Sequence, residues 1–404
     1  MGSKGSRGWA IGLAVLGVLC LAAAAILAWV IVPDKKELPA DTDTTRQFTG
    51  TAALLLNPQA VAAGNLQQAL LTNVPVAAQR NVKVTATSGN MAEVSDARTL
   101  STANGQPIGQ TSATYAVDRK SLEAAPDPPS DWQVVDHEGL TISWPIGTSK
   151  QDYTGWVSDT QSTTPLKYVR EESKNGLNTY VFEAQTQAGP IKDQQVLATL
   201  PQQMPAGTLS ALAGALPIPD AIKGQLAQLL PQLGDPIKLS YTYESTSTFW
   251  VEPTTGIVVD LERKETRNVG LGLPSGGVLP AAPVYDVTTS FTDQSVTDAV
   301  NEANDKKGQI QSYGTTWPLI LLIVGIVAIL AAIALFVTGG RRSAPAGAGV
   351  GPTSTAGGTS PPPGTPPPGT PPPGTSRPPG DVPPLPPRDE PPRESPPRET
   401  PPPP

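Results

Sequence analysis

The sequence predicts an α+β protein: an antiparallel, β-rich extracytoplasmic domain with a few inserted helices, flanked by two transmembrane helices and followed by a disordered Pro-rich tail. Three observations carry this. Two stretches, Trp9 to Val32 and Trp317 to Val337, are apolar and free of charged residues. Several segments between them alternate apolar and polar residues with period two, without regular alternation of strand and helix. After Arg342 the composition turns abruptly to Gly, Ser, Thr and Pro.

Each apolar stretch is about the 20 residues that a helix needs to cross a hydrocarbon core. Lys4 and Arg7 precede the first and Arg341 and Arg342 follow the second, whereas the inner flanks, Asp34 to Glu37 and Asp305 to Lys307, mix both signs. The positive-inside rule then places residues 1–8 and 338–404 in the cytoplasm, residues 9–32 and 317–337 in the plasma (inner) membrane, and residues 33–316 outside the cytoplasm. The first run is too long for a signal-peptide core, and Trp29 stands where a small cleavage residue is required, so it reads as an uncleaved anchor.

The net charge of -7 and the pI near 4.9 exclude a basic nucleic-acid footprint. The one cysteine, Cys20, lies in the first apolar stretch, so residues 33–316 carry no disulfide.

Strands are expected first at Val82 to Ala86 and Tyr180 to Ala184. From Ile237 to Val251, Ile237, Leu239, Tyr241, Tyr243, Phe249 and Val251 share one parity and Lys238, Ser240, Thr242 and Glu244 the other, one dry face and one wet. Pro253 to Gly256 breaks the run. Ile257, Val259 and Leu261 then alternate with Asp260, Glu262 and Lys264, which makes the pair an antiparallel hairpin. Tyr285, Val287 and Phe291 mark a last strand. Helix is expected at Pro58 to Thr72, at Val296 to Ser312 as an outward extension of the second span, and in a Leu-rich insert, residues 208–233. In that insert Leu209, Leu212 and Leu216 recur at helical spacing, then, after Pro217 and Pro219, Ile222, Leu226, Leu229, Leu230 and Leu233, with Asp220 as the N-cap candidate.

In the tail, PPPGT repeats from Pro361 to Thr375 and PPRE units begin at Pro391 and Pro396. Such a segment has almost nothing to bury. Val382 to Arg388 matches a PxxP ligand, which would give the tail a cytoplasmic partner.

A search for chemistry returns little. His137 is the only histidine and no CxxC pair exists, so neither a zinc site nor another N/S metal site is expected, and no cofactor is implied. No GxSxG elbow accompanies His137, which sits in an Asp136–Gly139 turn. Asp136, Glu138 and Asp159 are the carboxylates that an enzyme acting on glycans would require, but their spacing does not single out a catalytic pair. Gly270 to Gly276 lacks the GK[ST] ending of a phosphate loop and reads as a mobile connection. The sequence points to a protein that is not an enzyme.

Apolar side chains remain. Trp144, Tyr153 and Trp156 cluster in a polar region, and Leu209, Leu212, Leu216, Ile222, Leu226, Leu229 and Leu230 exceed what their polar neighbours cover. Sheet and insert could enclose an apolar, ligand-binding cavity.

The run from Ile142 to Thr148, then Lys150, Tyr153, Trp156 and Asp159, followed by Pro165, Tyr168, Gly176, Thr179, Tyr180 and Phe182, together with the Phe249 to Gly256 hairpin and the two spans, resembles an actinobacterial two-span membrane protein family of unknown function, often labelled "porin PorA family". The resemblance covers nearly all of residues 9–337. It implies a periplasmic, membrane-tethered protein of mycolic-acid bacteria, with members linked to envelope lipoglycan and mycolate lipid assembly. Combined with the apolar residues, this gives as the first expectation a lipid- or lipoglycan-binding protein supporting envelope glycolipid assembly or transport, with membrane lipids and envelope-biogenesis proteins as partners. A scaffold for an envelope transporter or glycosyltransferase is the second expectation. A porin or channel component is the third, ranked last because a helical pore needs polar positions in its spans or many copies of them.

Overall fold

A computed structural model describes residues 3–32, 36–65, 67–215, 220–272 and 278–340. The tail and its PxxP match, most of the Gly270–Gly276 loop, and Leu216 lie outside these residues.

Helix α1 (Ser3–Ile26), prolonged to Val32, and helix α7 (Trp317–Gly340) are the two apolar stretches. Both are long and apolar enough to cross a membrane. They pack on each other through small residues: Ala10, Ala328 and Ala332 are buried, and a Cβ placed on Gly17 would come 2.9 Å from the Gly325 carbonyl oxygen. Lipid tails are as apolar as leucine, so span pairing depends on such close backbone approach. Trp9, Trp29 and Trp317 are exposed near the ends of the apolar runs, where the aromatic belts of a bilayer lie.

Among the described residues, eleven antiparallel strands form one curled sheet, a half-barrel: β1 (Asp43–Leu56), β2 (Leu70–Ser88), β3 (Met91–Thr102), β4 (Pro107–Asp118), β5 (Tyr153–Val157), β6 (Ser162–Lys174), β7 (Leu177–Pro190), β8 (Gln203–Met204), β9 (Ile237–Glu252), β10 (Ile257–Gly272) and β11 (Val278–Phe291). The order is β4-β3-β2-β1-β11-β10-β9-β7-β6-β5, with β8 on β9. Register shifts at Ala52/Leu54, Val84/Ala86, Tyr168/Arg170 and Val258/Asp260 bend the strands and let the sheet curl. The connection from β4 to β5 serves both edges. Its start returns to β4, where Val135 N donates to Thr114 O (2.7 Å), and its end runs beside β5, where Leu140 N donates to Thr154 O and Trp156 N to Leu140 O (2.8 Å each). The rows of unpaired backbone groups that make sheet edges sticky are thereby partly covered.

Helix α6 (Asp293–Gln311) packs on β10 and runs through Ser312–Thr316 into α7, as the sequence predicts. Its Ala299 and Ala303 sit on Leu177, Ile257 and Val259. A buried ion pair fastens it: Glu252 Oε2 accepts from the Thr255 amide and hydroxyl (2.9 Å each), and Lys307 Nζ lies 3.1 Å from Oε1, at an angle too bent for a hydrogen bond.

Three expectations need correction. Helix α2 spans only Pro58–Ala62, capped by the Asn57 side chain, and Leu70 to Thr72 belong to β2, where pairing with Leu54 to Leu56 overrides their helical propensity. Gly270 to Gly272 continue β10 rather than opening a loop. In the hairpin, the bulge at Val259 separates residues read as one dry face. Ile257 and Val259 face α6, Leu261 joins the aromatic cluster of Trp144, Phe182 and Phe249, and Asp260 is buried against Lys174 (2.6 Å). The remaining helices are α3 (Gln194–Ala198) and, within the insert, α4 (Ala206–Ala215) and α5 (Asp220–Leu229).

Candidate functional site

The expected apolar residues divide between two places. Leu209, Leu212 and Leu230 are buried against Met204, Ile237, Leu239 and Tyr241, so the insert caps one end of the core; Leu229 is half-buried. The side chains of Leu216, Ile222 and Leu226 lie outside the described residues. None of the described insert residues lines either of two cavities that lie inside the sheet. Trp144 packs between Phe249 (4.7 Å between ring centroids) and Phe182 (5.5 Å), and Tyr153 is 5.8 Å from Phe182. Trp156 is 6.4 Å from His137, whose ring also meets Tyr115 at 4.9 Å. Trp144 and Trp156 do line a cavity, whereas Tyr153 only supports its wall. His137 is buried in this aromatic setting rather than lying at a surface turn. Burial lowers its pKa against the weak opposing contact of Nδ1 with Val135 O.

The two cavities, about 170 and 210 Å³, run along the inside of the half-barrel and meet at Phe48, Arg80, Arg98, Ser158, Asp159, Leu261 and Arg263, which line both. One extends toward Leu55, Val196, Leu200 and Tyr285. The other extends toward Leu38, Trp144, Phe291, Glu302 and Lys306. Lys306 lies eleven residues before Trp317 along a continuous helix, a rise of about 16 Å. That end of the cavity therefore opens on the segments leading to the spans.

The junction is charged. Asp96 holds two guanidiniums, with Arg80 Nε at 2.9 Å and Arg98 at 2.8 Å. Burial would raise the Asp96 carboxyl, but the two positive charges outweigh it and hold it well below the usual carboxylate range. Arg80 also donates to Thr141 O (2.8 Å), tying the β4–β5 connection to the belt. Arg267 donates to Asp159 Oδ1 (2.9 Å) and lies over the Tyr285 ring (4.5 Å). Burial outweighs the guanidinium there and raises Asp159 above its ordinary value. Glu265 accepts from the Tyr243 hydroxyl (2.8 Å). Arg263 has one hydrogen bond among the described residues, from Nε to Ser247 Oγ (3.0 Å), and no carboxylate partner. Closer to the spans, Glu302 bridges Arg46 (2.6 Å) and Lys306 (2.8 Å).

Of this belt the sequence singles out only Asp159, as a carboxylate for glycan chemistry rather than as the partner of Arg267, although the signal for the rest is present. Asp96 and Arg98 continue the buried parity of Ala92 and Val94, and Arg263, Glu265 and Arg267 continue that of Leu261. Charges that recur on the dry face of a strand indicate a polar interior.

The Porin PorA family profile matches residues 9–334, which take in the first span, the whole sheet and most of the second span. The chain belongs to this family. A protein named Porin PorA from Corynebacterium resistens is 23% identical over 401 residues, covering 79% of this chain and 95% of that protein. Among solved structures, an acyl-CoA thioesterase II, TesB2, from Mycobacterium marinum (9% identity, TM-score 0.11, 62% of this chain and 81% of that one) and a MaoC domain protein from Chloroflexus aurantiacus (12%, 0.12, 72% and 91%) are similar at a level that supports no argument about fold or chemistry. Family membership corrects the first functional expectation. The family is a porin family, so the lipid- and lipoglycan-binding reading gives way to the porin reading that had been ranked last. The insert that suggested a lipid pocket supplies core packing at Leu209, Leu212 and Leu230.

Proposed function

We propose that this protein is a non-catalytic, membrane-anchored component of a porin-type passage for small polar solutes, with the half-barrel as its solute-facing domain. The observation that carries the reading is the charged belt inside the sheet, continuous with cavity space that reaches the segments leading to the spans. The charged junction between otherwise largely apolar walls offers a hydrated polar solute partners that the rest of the interior lacks. In this reading Lys4, Arg7, Arg341 and Arg342 keep both termini in the cytoplasm and the half-barrel stands on the outer face of the plasma membrane. Two apolar helices enclose no aqueous path, so the pore itself is built by several copies of the α1–α7 pair around a common axis.

Efflux from sealed vesicles tests this. Full-length protein reconstituted into liposomes loaded with a small charged dye should release it at a rate that rises more steeply than linearly with protein-to-lipid ratio, as assembly from several copies requires. Release no faster than from protein-free liposomes would overturn the reading.

A further inference from the structure

We infer that the junction of the two cavities is an oxyanion-binding site, with the Arg263 guanidinium as its principal ligand and the paired Arg80 and Arg98 as its flank. This goes beyond the pore reading and does not depend on it.

The argument begins with charge pairing. A guanidinium inside a protein is ordinarily matched by a carboxylate, because leaving it unmatched in a medium poorer than water is costly. Most of the belt obeys this rule. Arg267 is matched by Asp159, and Arg80 and Arg98 share Asp96, which leaves that trio with one positive charge in excess. Arg263 is the exception. It is only partly exposed, it lines both cavities, and Nε is its one nitrogen with a partner among the described residues. Glu265, two residues along the same face, is engaged by Tyr243 and makes no ion pair with Arg263. It offsets part of the excess without closing the fork.

Geometry supports the same conclusion. Bonding of Nε to Ser247 fixes the plane of the guanidinium while the terminal nitrogens stay open, and the edge of the Phe249 cluster supports it, with the Arg263 guanidinium carbon 6.0 Å from that ring centroid. A planar fork fixed in this way binds a carboxylate or phosphoryl group through two parallel hydrogen bonds. The ligand class is therefore a small solute bearing a phosphoryl or carboxylate group.

Calorimetric titration of detergent-solubilised full-length protein with inorganic phosphate, and separately with acetate, tests this. The expected result is saturable binding of at least one anion, weakened about 10-fold or more in Arg263→Gln, with part of the affinity restored in Arg263→Lys. Unchanged melting curves for both variants would show that the fold is intact. The inference is overturned if neither anion binds the wild-type chain saturably, or if Arg263→Gln binds as tightly as wild type. Vesicle release, read on the same preparations, reports on the pore reading separately: anion binding without release leaves this site standing and removes the pore, and release with phosphate affinity unaltered in Arg263→Gln does the reverse.

Discussion

At the scale of single residues, the belt and its surroundings are set by pairing and burial. Asp96 is almost fully enclosed by Arg80 and Arg98, which remain partly solvated. Asp96→Asn should therefore lower stability by about 3 kcal/mol, the lower end of the range for breaking a buried pair, as measured by denaturant unfolding. The pH dependence follows from the sign of the shift. The carboxyl is depressed in the folded state, so its contribution is complete above the unfolded value near 3.9 and is lost only as the medium becomes strongly acidic. His137 acts in a higher window. Burial lowers its pKa below the ordinary value of 6.5, so the unfolded chain takes up a proton first and stability falls as pH drops below about 6.5. The melting temperature should decline between pH 7 and 5 in the wild type and decline less in His137→Phe, whose ring can occupy the same aromatic slot between Tyr115 and Trp156.

Secondary-structure elements show where sequence reading succeeds and where it stops. The spans, the β9–β10 hairpin and the helix leading into the second span follow from length and periodicity, which depend on nearby residues alone. The bulge at Val259 does not, because an extra residue in one strand shows only against its partner. Most of the belt escapes sequence reading for a related reason: alternation marks a dry face only while its residues are apolar, and Asp96, Arg98, Arg263 and Arg267 hold dry positions with charged side chains. The Leu-rich insert has helical spacing whether it lines a cavity or caps a core, and only tertiary packing distinguishes the two. Two predictions belong at this scale. A Cβ on Gly17 would lie 2.6 Å from Ile329 Cγ1, whereas Gly12 has no neighbour within 4 Å. Gly17→Leu should separate α1 from α7 and cost about 1–3 kcal/mol in detergent, while Gly12→Leu should stay within about 0.5 kcal/mol, as read from thermal melts. Lys307→Ala leaves Glu252 buried without its cation and should cost about 3 kcal/mol, as read from denaturant unfolding.

At the scale of the whole molecule, one device recurs: the half-barrel is joined to the membrane by continuous structure. Helix α6 passes without a break from the sheet into the second span, and Glu302 and Lys306 on that helix line the cavity that leads to the belt. In the proposed reading, a solute inside the sheet would sit beside the segments that lead to the two apolar helices. The most direct test of a porin-type passage is the current carried by full-length protein in a planar bilayer. Discrete conductance steps are predicted, with a reversal potential in a salt gradient that shows anion preference and moves toward cations in Arg263→Glu. A bilayer that stays silent after verified incorporation of the protein would contradict the account.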